Sequence, residues 1–270
     1  MDQLLPEFVG DVDPIALYGA DRRVPPEDRP WLMLNMVTSV DGATSADQVS
    51  GTLSSPGDRR VFAAIRAVAD VILVGAETVR REGYGPPRAH PAAAAARAGR
   101  KQAPRPRLAV VSGSLDLDFA APLFDDDPPP LLFTGAEPPA DRLARAEATA
   151  DVHRLGNERV EPAHTYRPGT PRVERADSHR PGTPRVEAAA VVARLGQLGA
   201  QVVLAEGGPR LNSQLVAEGL VDELCWTISP LLAGGDSARL VEGGPPGLAH
   251  LRLARVLVHD HSLFLRYLTH

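Results

Sequence analysis

Glu206 is followed directly by Gly207-Gly208-Pro209-Arg210-Leu211-Asn212, so an acid and two glycines separate an uncharged apolar run from the start of a helix. The run Gln201-Val202-Val203-Leu204-Ala205 is short and β-branched, as a strand buried on both faces of a parallel sheet requires. Leu211, Leu215 and Val216 then recur at helical spacing, and Gly219 closes the segment. Glycines let a phosphate approach the backbone, while the free N–H groups and dipole of a helix starting near Pro209 attract its charge. The chemistry expected is retention of a phosphate-bearing ligand, with Glu206 facing the same cleft. A strand-to-helix turn also calls for glycine on steric grounds alone, so the turn gains meaning only from its neighbours.

Three further turns can meet it at one end of a sheet: Thr38 to Gly42, Gly75 to Thr78, and Ser112 to Ser114. Ligands of open α/β sheets bind beyond the carboxyl ends of the strands, so this convergence points to a dinucleotide cleft. Neither a G-x-G-x-x-G turn after a first strand nor a Walker A sequence is present, and no G-x-S-x-G elbow marks a serine nucleophile. Histidines such as His153, His250 and the pair His259 and His261 are scattered, and no metal site is expected. Asp125-Asp126-Asp127 reads as a solvated loop. Asp41 has two readings: it fixes an Asp-Gly turn, or it orients a substrate and supplies a proton. Arg66 is either the ordinary charge of an exposed helix face or a bidentate phosphate ligand.

These turns need a scaffold. Trp31 to Val37 and Asp70 to Gly75 are strands, and Ser55-Pro56-Gly57-Asp58 opens a helix with a cap, a proline in the first turn and an acid three residues after the cap. Val61, Ile65 and Val68 form that helix's apolar face, and a short helix through Glu77, Thr78, Val79 and Arg80 must stop by Gly83. Leu108 to Ser112 and Leu131 to Thr134 are further strands, residues 85–106 form a loop excursion around a possible helix, and Ala188 to Leu198 is helical. After a strand over Asp222 to Ser229, Leu251 to Val258 and Leu263 to Leu268 alternate around Asp260 as an antiparallel hairpin. The expected fold is α/β in three layers, with a mixed, mostly parallel sheet and an antiparallel C-terminal edge. Residues 1–29 read as an N-terminal extension and 30–270 as the main domain. A Pro/Arg-rich insert is expected at about 156–186, where the octad Arg167 to Glu174 recurs at Arg180 to Glu187 as a surface-loop duplication.

A net charge of −5 and a pI near 5.9 give no general attraction for nucleic acid or anionic membrane, and Lys101 is the only lysine. No apolar run approaches the roughly 18 residues of a membrane span. Cys225, within Leu224-Cys225-Trp226-Thr227-Ile228, reads as a small buried hydrophobe. The first residues lack a basic, apolar leader, and the expected compartment is the cytoplasm.

Met36-Val37-Thr38-Ser39-Val40-Asp41-Gly42, Ala69 to Arg80, and Glu206 to Asn212 continuing through Leu220 to Leu224 and Ile228 to Gly235 resemble, in that order, the reductase domain of riboflavin biosynthesis. Its members, the pyrimidine reductase family, share the dihydrofolate reductase fold. The resemblance implies NADPH as hydride donor, bound by Thr38, Gly75, Thr78, Glu82, Ser112, Gly207, Gly208, Pro209, Arg210, Leu211, Asn212, Ser213 and Gln214. Arg80 and Arg81 are the candidates for a 2′-phosphate. On the substrate side it implies Ser50 or Ser54, Arg66 and Glu206, with Asp41 and Glu206 as catalytic candidates. It also implies a homodimer and reduction of 5-amino-6-(5-phosphoribosylamino)uracil at the ribose C1′. Ser50-Gly51-Thr52-Leu53-Ser54-Ser55 is shorter than the Ser-Gly-Glu-Ser-x-Trp-Ile type segment of riboflavin-pathway members and lacks its tryptophan. That leaves open a dihydrofolate, another pterin or a flavin as substrate, and NADPH binding without turnover.

Overall fold

Leu32, Met33, Leu34, Ile72, Leu73, Val74, Val203, Leu204 and Ala205 are fully buried, which only strands covered on both faces achieve. A computed structural model describes residues 1–45, 51–155, 186–242 and 248–269. Ser50 and residues 156–185, which hold nearly all of the duplicated segment, lie outside them. In chain order the elements are β1 (Asp2–Leu5), α1 (Pro14–Ala20), β2 (Trp31–Thr38), α2 (Pro56–Arg66), β3 (Val71–Gly75), α3 (Ala76–Glu82), α4 (Ala94–Gly99) and β4 (Arg107–Val111). They continue with β5 (Leu131–Gly135), α5 (Ala140–Glu147), β6 (Asp151–Leu155), α6 (Ala188–Gln197), β7 (Val202–Ala205), α7 (Pro209–Ala217), β8 (Glu223–Ile228), β9 (Leu251–His259) and β10 (Ser262–Thr269).

The ten strands of the described residues join one sheet in the order β1-β9-β10-β8-β2-β7-β3-β4-β5-β6. From β8 to β6 the neighbours are parallel, whereas β10, β9 and β1 run antiparallel. Side chains of α1, α2, α3 and α5, among them Tyr18, Ile65, Val79 and Ala146, fill one face. Val191, Leu195 and Leu215 of α6 and α7 fill the other, which makes the three layers. The start of α2 follows its sequence signal: Ser55 Oγ accepts from Asp58 N at 3.1 Å and Pro56 stands in the first turn. The β9–β10 hairpin turns on Asp260 and His261, both at positive φ, as a two-residue turn matched to strand twist demands.

The C-terminal hairpin is not the edge of the sheet, contrary to expectation. Asp2, Gln3 and Leu5 pair with Val258, Leu257 and Val256, so β9 is covered by β1 and offers no open edge along those residues. Residues 1–29 are tied down by charge as well. Arg23 and Arg266 converge on Glu223, and Trp31 Nε1 donates to Glu223 Oε2 at 3.1 Å. Arg255 grips Asp21 through two bonds of 2.8 Å. Arg29 meets Asp222 in the same bidentate manner. The Asp222-Glu223 pair that opens β8 is therefore the anchor of the N-terminal segment. In the acid run, Asp126 is not solvated but paired with Arg105.

Candidate active site

The carboxyl ends of β3, β4 and β7 open into a cleft of about 810 Å³. Gly207 adopts φ 90°, a left-handed conformation that lets the chain leave β7 and turn at once into α7. Its carbonyl accepts from Gly75 N at 2.8 Å, and Glu206 N donates to Leu73 O at 2.9 Å, so the turns after β7 and β3 are locked side by side. A Cβ added to Gly208 would lie 2.7 Å from Thr78 Oγ1, so any side chain there must displace that hydroxyl. Ser112, next along the wall, is buried, and its Oγ has no partner among the described residues. Opposite, residues 233–238 form the second wall, held to the loop after β2 by Val40 N to Leu231 O at 2.8 Å and Thr44 Oγ1 to Ala238 O at 2.9 Å.

Gly75, Thr78, Ser112, Gly208, Pro209, Arg210, Leu211 and Gln214 all line this cleft, and Arg80 and Arg81 stand at its α3 side. Gly207 lies just behind it. Besides Gly207, four expected cofactor residues are absent from the wall. Thr38 is buried with its Oγ1 accepting from Trp226 Nε1 at 2.9 Å. Asn212 and Ser213 are buried on α7, and Asn212 lies under the Gly207 turn, where its Nδ2 donates to Leu240 O at 2.9 Å. Glu82 is exposed on the last turn of α3. Ser54 is engaged at the start of α2, donating to Asp58 Oδ2 at 2.7 Å.

Asp41 stands at the exposed turn after β2. Its carboxylate accepts from Ser39 Oγ and from the N–H groups of Ala233 and Gly234 at 3.1 and 2.8 Å. The Ser39 hydroxyl first, then those two amides, lower its pKa from 3.8 to about 2. It is ionised at neutral pH and clamps the two loops of the second wall together.

Glu206 and Arg66 are brought together, but toward each other, and neither is among the residues that line the cleft Glu206 was expected to face. Arg66 Nε donates to Oε1 at 2.7 Å and Arg66 Nη2 to Oε2 at 2.6 Å, a bidentate pair with the Glu206 side chain 3% exposed. Phe62 supports the guanidinium from below, 4.1 Å from ring centroid to Cζ. Tyr84 OH donates to Oε2 at 2.7 Å. No sequence signal marked Tyr84, because it follows a helix-ending glycine as any loop residue does. The second cleft wall went unforeseen for a related reason: residues 231–242 have no hydrophobic period, and only Gly234-Gly235, both at positive φ, set them apart.

The RibD C-terminal domain model matches residues 30–265. A reductase of 2,5-diamino-6-ribosylamino-4(3H)-pyrimidinone 5′-phosphate from Archaeoglobus fulgidus is 25% identical over 232 residues, 84% of this chain and 93% of the relative. Its namesake from Methanothermobacter thermautotrophicus is 26% identical over 216 residues, 80% and 85% of the two chains. Among solved structures, a pyrimidine reductase-like protein from Corynebacterium diphtheriae superposes with a TM-score of 0.76 at 24% identity, covering 96% of this chain and 99% of its own. That likeness is one of fold. With the match running from the first strand of the parallel sheet nearly to the end of the hairpin, the chain belongs to the RibD C-terminal domain family.

Proposed function

We propose that this chain is an NADPH-dependent reductase of a ribosylamino-pyrimidine 5′-phosphate, acting in the cytoplasm as a homodimer. The observation that carries the reading is the cleft at the β3, β4 and β7 ends, whose polar features suit a dinucleotide phosphate. Ser112 Oγ is buried without a partner among the described residues, a side chain at Gly208 would meet Thr78 Oγ1, and α7 presents its first N–H groups there. Gly208, Arg210 and Leu211 would hold the diphosphate through backbone donors, and the Thr78 and Ser112 hydroxyls would add theirs. Arg80, Arg81 and the exposed Arg210 give that side of the cleft the cations that a 2′-phosphate calls for. NADPH, when bound, supplies the hydride. The protein positions: Glu206, fixed by Arg66, keeps acceptor capacity for a ring N–H of the pyrimidine, and Asp41 ties the second wall to the turn after β2.

The expected 5-amino-6-(5-phosphoribosylamino)uracil and the diaminopyrimidinone of the relatives' names share the phosphoribosylamino arm and differ at C2 of the ring. Both belong in the assay. Purified protein with NADPH is expected to reduce one or both of them while leaving dihydrofolate and flavin untouched; turnover of a pterin or flavin alone would overturn the reading. Support for the dimer comes from Val40, Leu231 and Leu232, exposed apolar residues brought together by the Val40–Leu231 hydrogen bond. Sedimentation as a two-subunit species at micromolar protein is expected, and a monomer would count against it.

A further inference from the structure

We infer that Tyr84 is a positioning residue for substrate recognition: it fills the second acceptor position of Glu206 Oε2 and so leaves Oε1 to receive a ring N–H. The inference rests on the reading that Glu206 meets the pyrimidine. A carboxylate oxygen offers about two lone-pair positions. Oε2 uses both, accepting Arg66 Nη2 at 2.6 Å and Tyr84 OH at 2.7 Å, whereas Oε1 accepts only Arg66 Nε among the described residues. The three side chains come from three elements: Arg66 from the last turn of α2, Glu206 from the end of β7, Tyr84 from just beyond α3.

Gly83 makes this placement possible, since its φ of 60° ends α3 and turns the next residue back toward the sheet. The Tyr84 ring then packs against the apolar cluster beneath α2, with its centroid 5.8 Å from Arg66 Cζ. A bidentate pair alone lets carboxylate and guanidinium tilt as one rigid plate. The phenol adds a fixed point from a different element and stops that tilt. Burial, and then the neighbouring Glu206 charge, push the phenol well above its ordinary pKa, so it stays a donor wherever the enzyme is folded.

The test is steady-state kinetics of the full chain at saturating NADPH, with the pyrimidine phosphate varied, for Tyr84→Phe, Glu206→Gln and the double variant. Tyr84→Phe keeps the packed ring and removes only the hydroxyl. It is expected to raise KM for the pyrimidine about ten-fold, as loss of one hydrogen bond to a charged group does. The expected kcat and the NADPH Kd, measured by direct titration, stay near the wild-type values, and the double variant is no worse than Glu206→Gln. An unchanged KM in Tyr84→Phe beside an impaired Glu206→Gln overturns the positioning role. So do additive losses in the double variant, or a Tyr84→Phe chain that does not fold. If Glu206→Gln turns over normally, the substrate reading of Glu206 itself fails, and the inference falls with it.

Discussion

Replacing Glu223 by alanine is expected to cost about 3–5 kcal/mol of folding stability, because it leaves buried arginine charges without their partner. Glu223 is fully buried at the start of β8, and it is gripped by Arg23 from the N-terminal segment and Arg266 from β10. Burial alone would push its pKa up. The charges of Arg23 and Arg266 win, and hold it at about 2 instead of 4.5. A carboxyl depressed in the folded state stabilises above its ordinary pKa, so this contribution is complete above about pH 4.5 and is lost as pH falls through about 2. Guanidinium unfolding at neutral pH checks the size, and an unchanged midpoint would contradict it. Since β8 begins at the end of the sheet opposite the cleft, with Glu223 beside Met33 of β2 and Ile228 beside Thr38, the folded fraction of the variant should still bind NADPH normally.

Gly208→Val is expected to do the reverse, leaving the sheet intact and weakening NADPH binding on the order of 100-fold, the value of about two lost hydrogen bonds to a charged group. The new Cβ would stand 2.7 Å from Thr78 Oγ1 and push that hydroxyl off the cleft wall. Its methyl groups would then cover the first N–H groups of α7, which the diphosphate needs. Valine is also a poorer residue than glycine before a helix, a loss of about 1 kcal/mol that a domain of this size tolerates. Fluorescence titration with NADPH, alongside circular dichroism, separates the two effects. Unchanged affinity in a folded variant would remove the diphosphate from this turn.

What the sequence disclosed and what it hid divide along physical lines. Strands β2, β3 and β7 were legible because burial on both faces forces an unbroken apolar run, and α2 because its cap is local. β6 and α5 escaped because Asp151–Leu155 and Ala140–Glu147 are polar elements at a sheet margin, where packing rather than pattern decides. β1 escaped because four residues are too few for a period, and with it went the knowledge that the C-terminal hairpin is covered. In the site, the cleft-lining glycines, Thr78 and Ser112 were legible from turn chemistry. Thr38 and Asn212 stood in the same turns, but their side chains are buried and bonded to Trp226 and Leu240, partners no local spacing announces. The partners of Glu206 were hidden for a plainer reason: Arg66 lies 140 residues away and Tyr84 122, and no local spacing announces a contact so remote.

The proposed reaction is hydride transfer from NADPH, held at the Glu206–Gly208 turn and its neighbours, to the phosphoribosylamino arm of a pyrimidine. Its most direct measurement uses NADPH carrying deuterium at the transferring C4 position, with the pyrimidine phosphates as substrates and mass spectrometry of the product. A ribitylamino product bearing one deuterium at C1′ is the predicted result. Tight NADPH binding with no labelled product from either pyrimidine would contradict it.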